Sequence, residues 1–209
     1  MSAPREIVVA TGNPHKVEEI RAILGPLGLV VRSLDEVGGP YPEPDETGRT
    51  FEANARIKAV AYARVTGRTV LADDSGLEVD ALGGEPGVDS AIWAGAHGTR
   101  AERDARNNAK LAERMRGIAA DRRAARFVCC MCLADAGGRV LAETRGTFEG
   151  RIAEAPRGSH GFGYDPWLWL DDAGCSSAEL PPDEKNARSH RGNALRTLVE
   201  CLAATRSRG

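Results

Sequence analysis

The chain has 209 residues, 42% of them hydrophobic, a composition that suits one substantial folded domain and excludes a disordered chain. Lysine and arginine number 28 against 30 aspartates and glutamates, a formal charge of −2 that argues against a general nucleic-acid binder but leaves room for a local basic pocket. No apolar run approaches the roughly 20 residues that span a bilayer, and MSAPREIVVATG sets Arg5 and Glu6 before a short apolar run without a signal-peptide layout, so a cytoplasmic protein with no membrane partner is expected.

Residues 6–10, EIVVA, read as a β-branched strand that runs into Thr11, Gly12, Asn13, Pro14, His15 and Lys16. A helix follows, with Val17, Ile20, Ile23 and Leu24 at helical spacing and Gly25-Pro26 as its stop. Strand, glycine-containing loop and helix is the layout that aims unpaired backbone N–H groups at an anion. Lys16 at the helix start opposes the helix dipole and is better explained by a bound phosphate. The loop lacks the GxxxxGK[ST] pattern of a Walker A motif. Residues 29–33 predict a second strand, and 35–48, with three prolines and the acidic run Glu43, Asp45 and Glu46, a solvated loop. That loop gains interest only if it folds back over the carboxylates that follow.

Thr50 is the expected N-cap of a helix over 51–65 closed by Gly67. Asn54 and Lys58 share one face of it, which on its own reads as an exposed polar stripe. Residues 70–76, VLADDSG, predict a short buried strand ending at Ala72 in two adjacent acids, Asp73 and Asp74, then Ser75 and Gly76. Paired acids are costly to bring together unless a cation or a donor cluster neutralises them. Strand alternation sends the two side chains to opposite faces and does not choose between them. The plainer reading is a strand-to-turn junction.

The turn 83–87, GGEPG, precedes a helix predicted over 99–118, rich in Arg, Glu, Asn and Ala. Residues 124–134 and 139–148 form a hairpin around Asp135-Ala136-Gly137-Gly138. The first of these strands carries Cys129, Cys130 and Cys132 in the apolar run FVCCMCL. No second Cys or His group with ligand spacing lies nearby, so the cluster reads as core and not as a metal site. Five cysteines without a secretion signal disfavour a disulfide framework.

In 159–166, SHGFGYDP, Gly161 and Gly163 allow close backbone approach, Phe162 and Tyr164 offer stacking faces, and Asp165 suits a base edge or a ribose. A strand over 167–170 follows, then Lys185. The last helix runs to about Ala204 with Ser189 as N-cap, which puts His190 and Arg191 at a helix N-terminus, again against the dipole. No repeat or linker divides the chain, so 1–209 is read as a single domain.

TGNPHK (11–16), NARIKA (54–59), ADDSG (72–76), LGGEPG (82–87), GFGYDP (161–166), Lys185 and SHRG (189–192) stand in the order and spacing of one group. The chain resembles the inosine/xanthosine triphosphate pyrophosphatase family, from about residue 6 to residue 204. The resemblance implies an α/β fold: a long, mixed, twisted sheet with flanking helices and two lobes around a nucleotide cleft. It further implies a homodimer that uses Mg2+ and cleaves ITP, dITP or XTP between the α and β phosphates, giving the nucleoside monophosphate and pyrophosphate. Carried over residue by residue, it makes Asp74 the general base and a metal ligand, with Glu46 as the second metal carboxylate. Thr11, Gly12, Asn13, Pro14, His15, Lys16, Lys58 and Ser75 match phosphate-contacting positions. Phe162, Gly163, Tyr164, Asp165, Lys185, His190 and Arg191 match positions that read base and sugar. Ile92 departs from the pattern, standing where the family often carries a basic residue. The rival readings are a pyrophosphatase for modified pyrimidine nucleotides and a non-catalytic nucleotide sensor. The family reading requires the acids at 73–74, the first glycine turn and the SHR segment to converge.

Overall fold

The structure, a computed structural model, describes residues 6–206; the charged start read at Arg5 lies outside the described residues. Seven strands form a mixed sheet: β1 (Glu6–Ala10), β2 (Val30–Ser33), β3 (Val70–Val79), β4 (Ala124–Ala134), β5 (Val140–Ile152), β6 (Leu168–Leu170) and β7 (Cys175–Ser176). Their order is β2-β1-β3-β4-β5-β6-β7, parallel at β1/β2 and β1/β3 and antiparallel at β5/β6 and β6/β7. Five α-helices accompany them: α1 (Pro14–Leu24), α2 (Phe51–Thr66), α3 (Arg100–Arg114), α4 (Pro182–Arg188) and α5 (His190–Arg206). Among the described residues no helix is long and apolar enough to cross a membrane.

The chain divides into two compact units, the first made of residues up to Asp74, Cys129–Gly146 and His190 onward, the second of Ser75–Val128 and Thr147–Ser189. Three of the four divisions fall inside β3, β4 and β5, and the fourth falls at the junction of α4 and α5.

In the first unit, β1 is buried on both faces, which is why it reads as an unbroken apolar run. Ile7 and Val9 join Val17, Ile20 and Leu24 of α1 and Ala194, Leu195 and Leu198 of α5 in one core. Val8 and Ala10 join Ala55, Ala59, Tyr62 and Ala63 of α2 in another. The cysteine run divides the same way, Cys129 and Met131 to the first core and Cys132 to the second, and is interior as expected. Thr50 accepts the Ala53 N–H at 3.2 Å to start α2, and Gly67 ends it at φ 63°. In the second unit Leu111 of α3 and Met115, its C-cap, pack with Leu77, Phe127, Phe148, Ile152, Tyr164 and Trp167.

Three local expectations change. β3 does not stop at Ala72 but continues to Val79, so Asp73 and Asp74 are mid-strand residues and not a turn. Their neighbours after Gly76, Leu77 and Val79, are core residues at strand spacing, and their burial extends the ladder past the acids. α3 ends at Arg114, short of Ile118, where the chain turns through Gly117 at φ 76°. Finally, α4 was not predicted; its signal is Pro182 at the first helical turn with Asp183 and Glu184 beside it.

Candidate active site

The first unit gathers the acids and most of the predicted cations. Along β3 the side chains alternate, and the two carboxylates meet different partners. Asp73 is fully buried and accepts from Lys16 Nζ at 2.9 Å and Arg191 Nη2 at 3.2 Å. Arg191, itself 1% exposed, also donates to Glu19 on α1. Asp74 accepts from Lys58 Nζ at 3.0 Å and from Asn54 Nδ2 at 3.3 Å. Lys58 also reaches Glu46 Oε2 at 3.0 Å, so its ammonium bridges two carboxylates from separate segments. The acidic loop therefore folds back over the strand, and the polar face of α2 is buried: Asn54 is 4% and Lys58 9% exposed.

The position of each group follows from its element. Asn13 caps α1, its Oδ1 accepting the His15 N–H at 3.2 Å, while Thr11 Oγ1 accepts the Asn13 N–H at 3.1 Å. This sets Lys16 in the first turn, within reach of β3. Gly12, Pro14 and His15 are exposed around it. Asn13 Nδ2 is buried and has no partner, an orphan donor at a helix N-terminus, where an anion would satisfy it. α5 starts at His190 close against β5, where a Cβ on Gly146 would overlap the His190 carbonyl oxygen; glycine there lets the helix carry Arg191 to Asp73.

Charge separates the two neighbours further. Burial by itself would push the Asp73 carboxyl up, but Lys16, Arg191 and Lys58 outweigh it and hold Asp73 well below the usual carboxylate range. Burial pushes Asp74 up, and Lys58 offsets only part of that, so its proton affinity is raised. Lys58 stays charged, because Asp74, Asp73 and Glu46 outweigh the burial that would lower it. The two neighbouring acids are thus driven in opposite directions, Asp73 toward the ionised form and Asp74 toward holding its proton. Asp73, Glu19 and Asn54 are structural partners of this centre that motif spacing did not mark out for a role.

The donor set suits a hard divalent cation. Glu46 and Asp74 supply carboxylate oxygens, and Asn54 Oδ1 is a buried acceptor without a partner beside them. Among the described residues no group of three or more His, Cys, Asp or Glu could hold a metal. Mg2+ fits such a sparse site, because it binds through one or two carboxylates together with substrate phosphates. Four carboxylates, Glu19, Glu46, Asp73 and Asp74, face three cations, Lys16, Lys58 and Arg191.

The second unit carries Ser75, half-buried directly after Asp74, and the Phe162–Asp165 turn with Lys185. Here the side chains depart from the roles read for them. Asp165 is 3% exposed, and both its oxygens are used within the unit. Oδ2 accepts from Lys185 Nζ at 2.6 Å and the Phe162 N–H at 2.8 Å, and Oδ1 accepts from Ser177 Oγ at 2.8 Å. It holds the turn in shape. Gly161 fits only because it lacks a Cβ, which would overlap Asp165 Oδ2. Tyr164 is 5% exposed, packs in the core and donates to the Ser90 carbonyl at 3.0 Å, so it offers no stacking face. The half-buried Phe162 ring remains, with Lys185 Nζ 5.6 Å from its centroid. In the first unit, Arg191 is likewise committed to Asp73 and Glu19 instead of standing open as a donor for a base oxygen.

A family model described as the Ham1 family matches residues 7–201. The chain is 52% identical over 204 residues to a Nitratidesulfovibrio vulgaris protein named dITP/XTP pyrophosphatase, covering 95% of this chain and 96% of that one. It is 45% identical over 200 residues to a Bacillus subtilis protein of the same name, covering 96% and 98%. Among solved structures it is similar to a HAM1 protein from Coxiella burnetii, with a TM-score of 0.83, 39% identity and coverage of 96% and 100%.

Proposed function

The chain belongs to the Ham1 family, and from that premise we propose that it is a pyrophosphatase that hydrolyses the non-standard purine nucleotides ITP, dITP and XTP to the monophosphate and pyrophosphate. The observation that carries this reading is the Lys58 ammonium held 3.0 Å from both Glu46 and Asp74 while Lys16 is anchored 2.9 Å from Asp73. A strand acid of raised proton affinity stands among cations built to receive phosphates.

In this reading Glu46 and Asp74 would hold Mg2+, which when bound neutralises charge on the phosphoryl oxygens. Lys16, Lys58, the first amides of α1 and the orphan Asn13 Nδ2 orient the triphosphate. Asp74 accepts the proton of the attacking water as its oxygen bonds to phosphorus, and pyrophosphate departs with the electrons of the broken P–O bond. Asp73 stays ionised throughout, fixing Lys16 and Arg191. Discrimination against adenine rests on O6, an acceptor in hypoxanthine and xanthine where adenine carries a donor amine; guanine shares O6, so its exclusion rests on the 2-amino group. With Arg191 held by carboxylates, backbone N–H groups read O6, and the Phe162 ring is the stacking surface. The protein works in the cytoplasm as a homodimer.

The test is pyrophosphate release from the purified protein across a nucleotide panel, with and without magnesium. Turnover of dITP and XTP exceeds that of dATP by at least about 10²-fold, as a site built on one base hydrogen bond allows, and chelation abolishes it. Asp74→Asn lowers kcat by about 10³-fold, within the range for loss of a general base, while nucleotide binding persists. Equal turnover of all purines would remove the selectivity, and an undiminished kcat in the variant would remove Asp74 from its role.

A further inference from the structure

The helix α3, rich in Arg, Glu, Asn and Ala, lies within the second unit. Three of its side chains, Arg100, Asp104 and Asn108, reach the Phe162–Asp165 turn. Asn108 Nδ2 donates to the Gly163 carbonyl at 3.0 Å, and Asp104 Oδ2 accepts the Gly163 N–H at 3.3 Å. One residue of the turn is therefore held at both its amide groups by two side chains one helical turn apart. Asp104 also lies 3.7 Å from Arg100 Nε, and the Arg100 guanidinium sits 4.8 Å from the centroid of the Phe162 ring. Gly163 has φ 59°, a conformation that favours glycine at the clamped position. Asn108 keeps its Oδ1 buried without a partner to make its single donation, a cost that an apolar residue would avoid. Stability is a poor reason for that arrangement. Positioning is a better one, since a ligand surface on a loop must be fixed by its supporting residues.

We propose that Asp104 and Asn108 are positioning residues for base recognition, clamping Gly163 so that the Phe162 ring, steadied by Arg100, is presented in one orientation to the purine. This rests on the functional reading above, and it adds α3 as the element that sets affinity for the base without touching the phosphates. A misplaced stacking surface weakens substrate binding while leaving the reacting phosphorus and its acid intact, so the effect falls on KM.

The experiment is steady-state hydrolysis of dITP by single variants, with melting temperature as a parallel reading. Asp104→Ala and Asn108→Ala each raise KM about tenfold while kcat changes less than twofold. Asp104→Asn, which keeps an acceptor for the Gly163 N–H, restores KM to within about twofold of the unsubstituted protein. Asn108→Asp, which loses the donor, does not. Unchanged KM in both alanine variants overturns the inference. So does a rise in KM that Asp104→Asn fails to rescue, or one matched by an equal loss of kcat and a fall in melting temperature, the mark of a merely structural role. Failure of the unsubstituted protein to hydrolyse dITP would defeat the functional reading itself; normal turnover with indifferent variants defeats only the role given to α3.

Discussion

Asp73 and Asp74 share a peptide bond, yet their surroundings drive them in opposite directions. Alternation along β3 turns one toward Lys16 and Arg191 and the other toward Lys58 and Asn54. Asp73 is the anchor of two cations in a fully buried setting, so its loss leaves Lys16 and Arg191 without their shared counter-charge. Asp73→Asn is expected to cost about 3 kcal/mol at neutral pH, the scale for breaking a buried pair from one side. The sign with pH follows from the direction of its shift: a carboxyl held below its unfolded range contributes stability above about pH 4, and that contribution is lost as pH falls further. Denaturant unfolding of both proteins between pH 3 and 8 should therefore show the deficit of the variant shrinking below about pH 4. A deficit independent of pH would mean that the ionised carboxylate is not what stabilises the site. Strand alternation by itself does not choose between the two acids. What separates them is the identity of the cations that arrive from positions 16, 58 and 191.

At the scale of elements, α3 and β5 illustrate how irregular segments are held. Arg123 is 6% exposed and donates to four carbonyl oxygens. Its Nε reaches Ile152 at 2.6 Å, Nη1 reaches Met115 at 3.1 Å and Ile118 at 3.2 Å, and Nη2 reaches Ala153 at 2.8 Å. It satisfies the carbonyls where α3 ends and where β5 ends, groups that have no regular ladder to join. Arg123→Met keeps the apolar stem but leaves those acceptors buried, and is expected to destabilise the protein by about 3 kcal/mol, read as a lower midpoint in urea. A change below about 1 kcal/mol would show that solvent replaces the guanidinium there. Caps and turns of this kind were partly legible. Thr50, Gly67 and the Asp135–Gly138 turn announced themselves because their chemistry is local. Arg123 did not, because an arginine in a charged stretch looks the same whether it is solvated or threaded among carbonyls.

Across the whole molecule, burial separates the five cysteines into two classes. Burial pushes the Cys132 thiol up to about 12, and burial with Glu52 does the same for Cys130. Cys129, packed against Asp73, is raised as well. Cys201 on α5 is exposed and Cys175 is intermediate. A thiol reagent at pH 8 is expected to modify Cys201 rapidly and Cys175 slowly, and to reach all five only after denaturation. Fast reaction at Cys129, Cys130 or Cys132 in the native protein would contradict the interior placement of β4. The sequence determined whatever depends on near neighbours: the periodicity of β1, α1, α2 and β4, the caps, the turn chemistry, and the alternation that parts Asp73 from Asp74. The tertiary structure decided which charge meets which: Arg191 closes on Asp73 across 118 positions, and Asp165 turns its oxygens inward. Local geometry is written in each residue's backbone preferences, whereas an ion pair between distant segments exists only once the packed core has brought their backbones within reach.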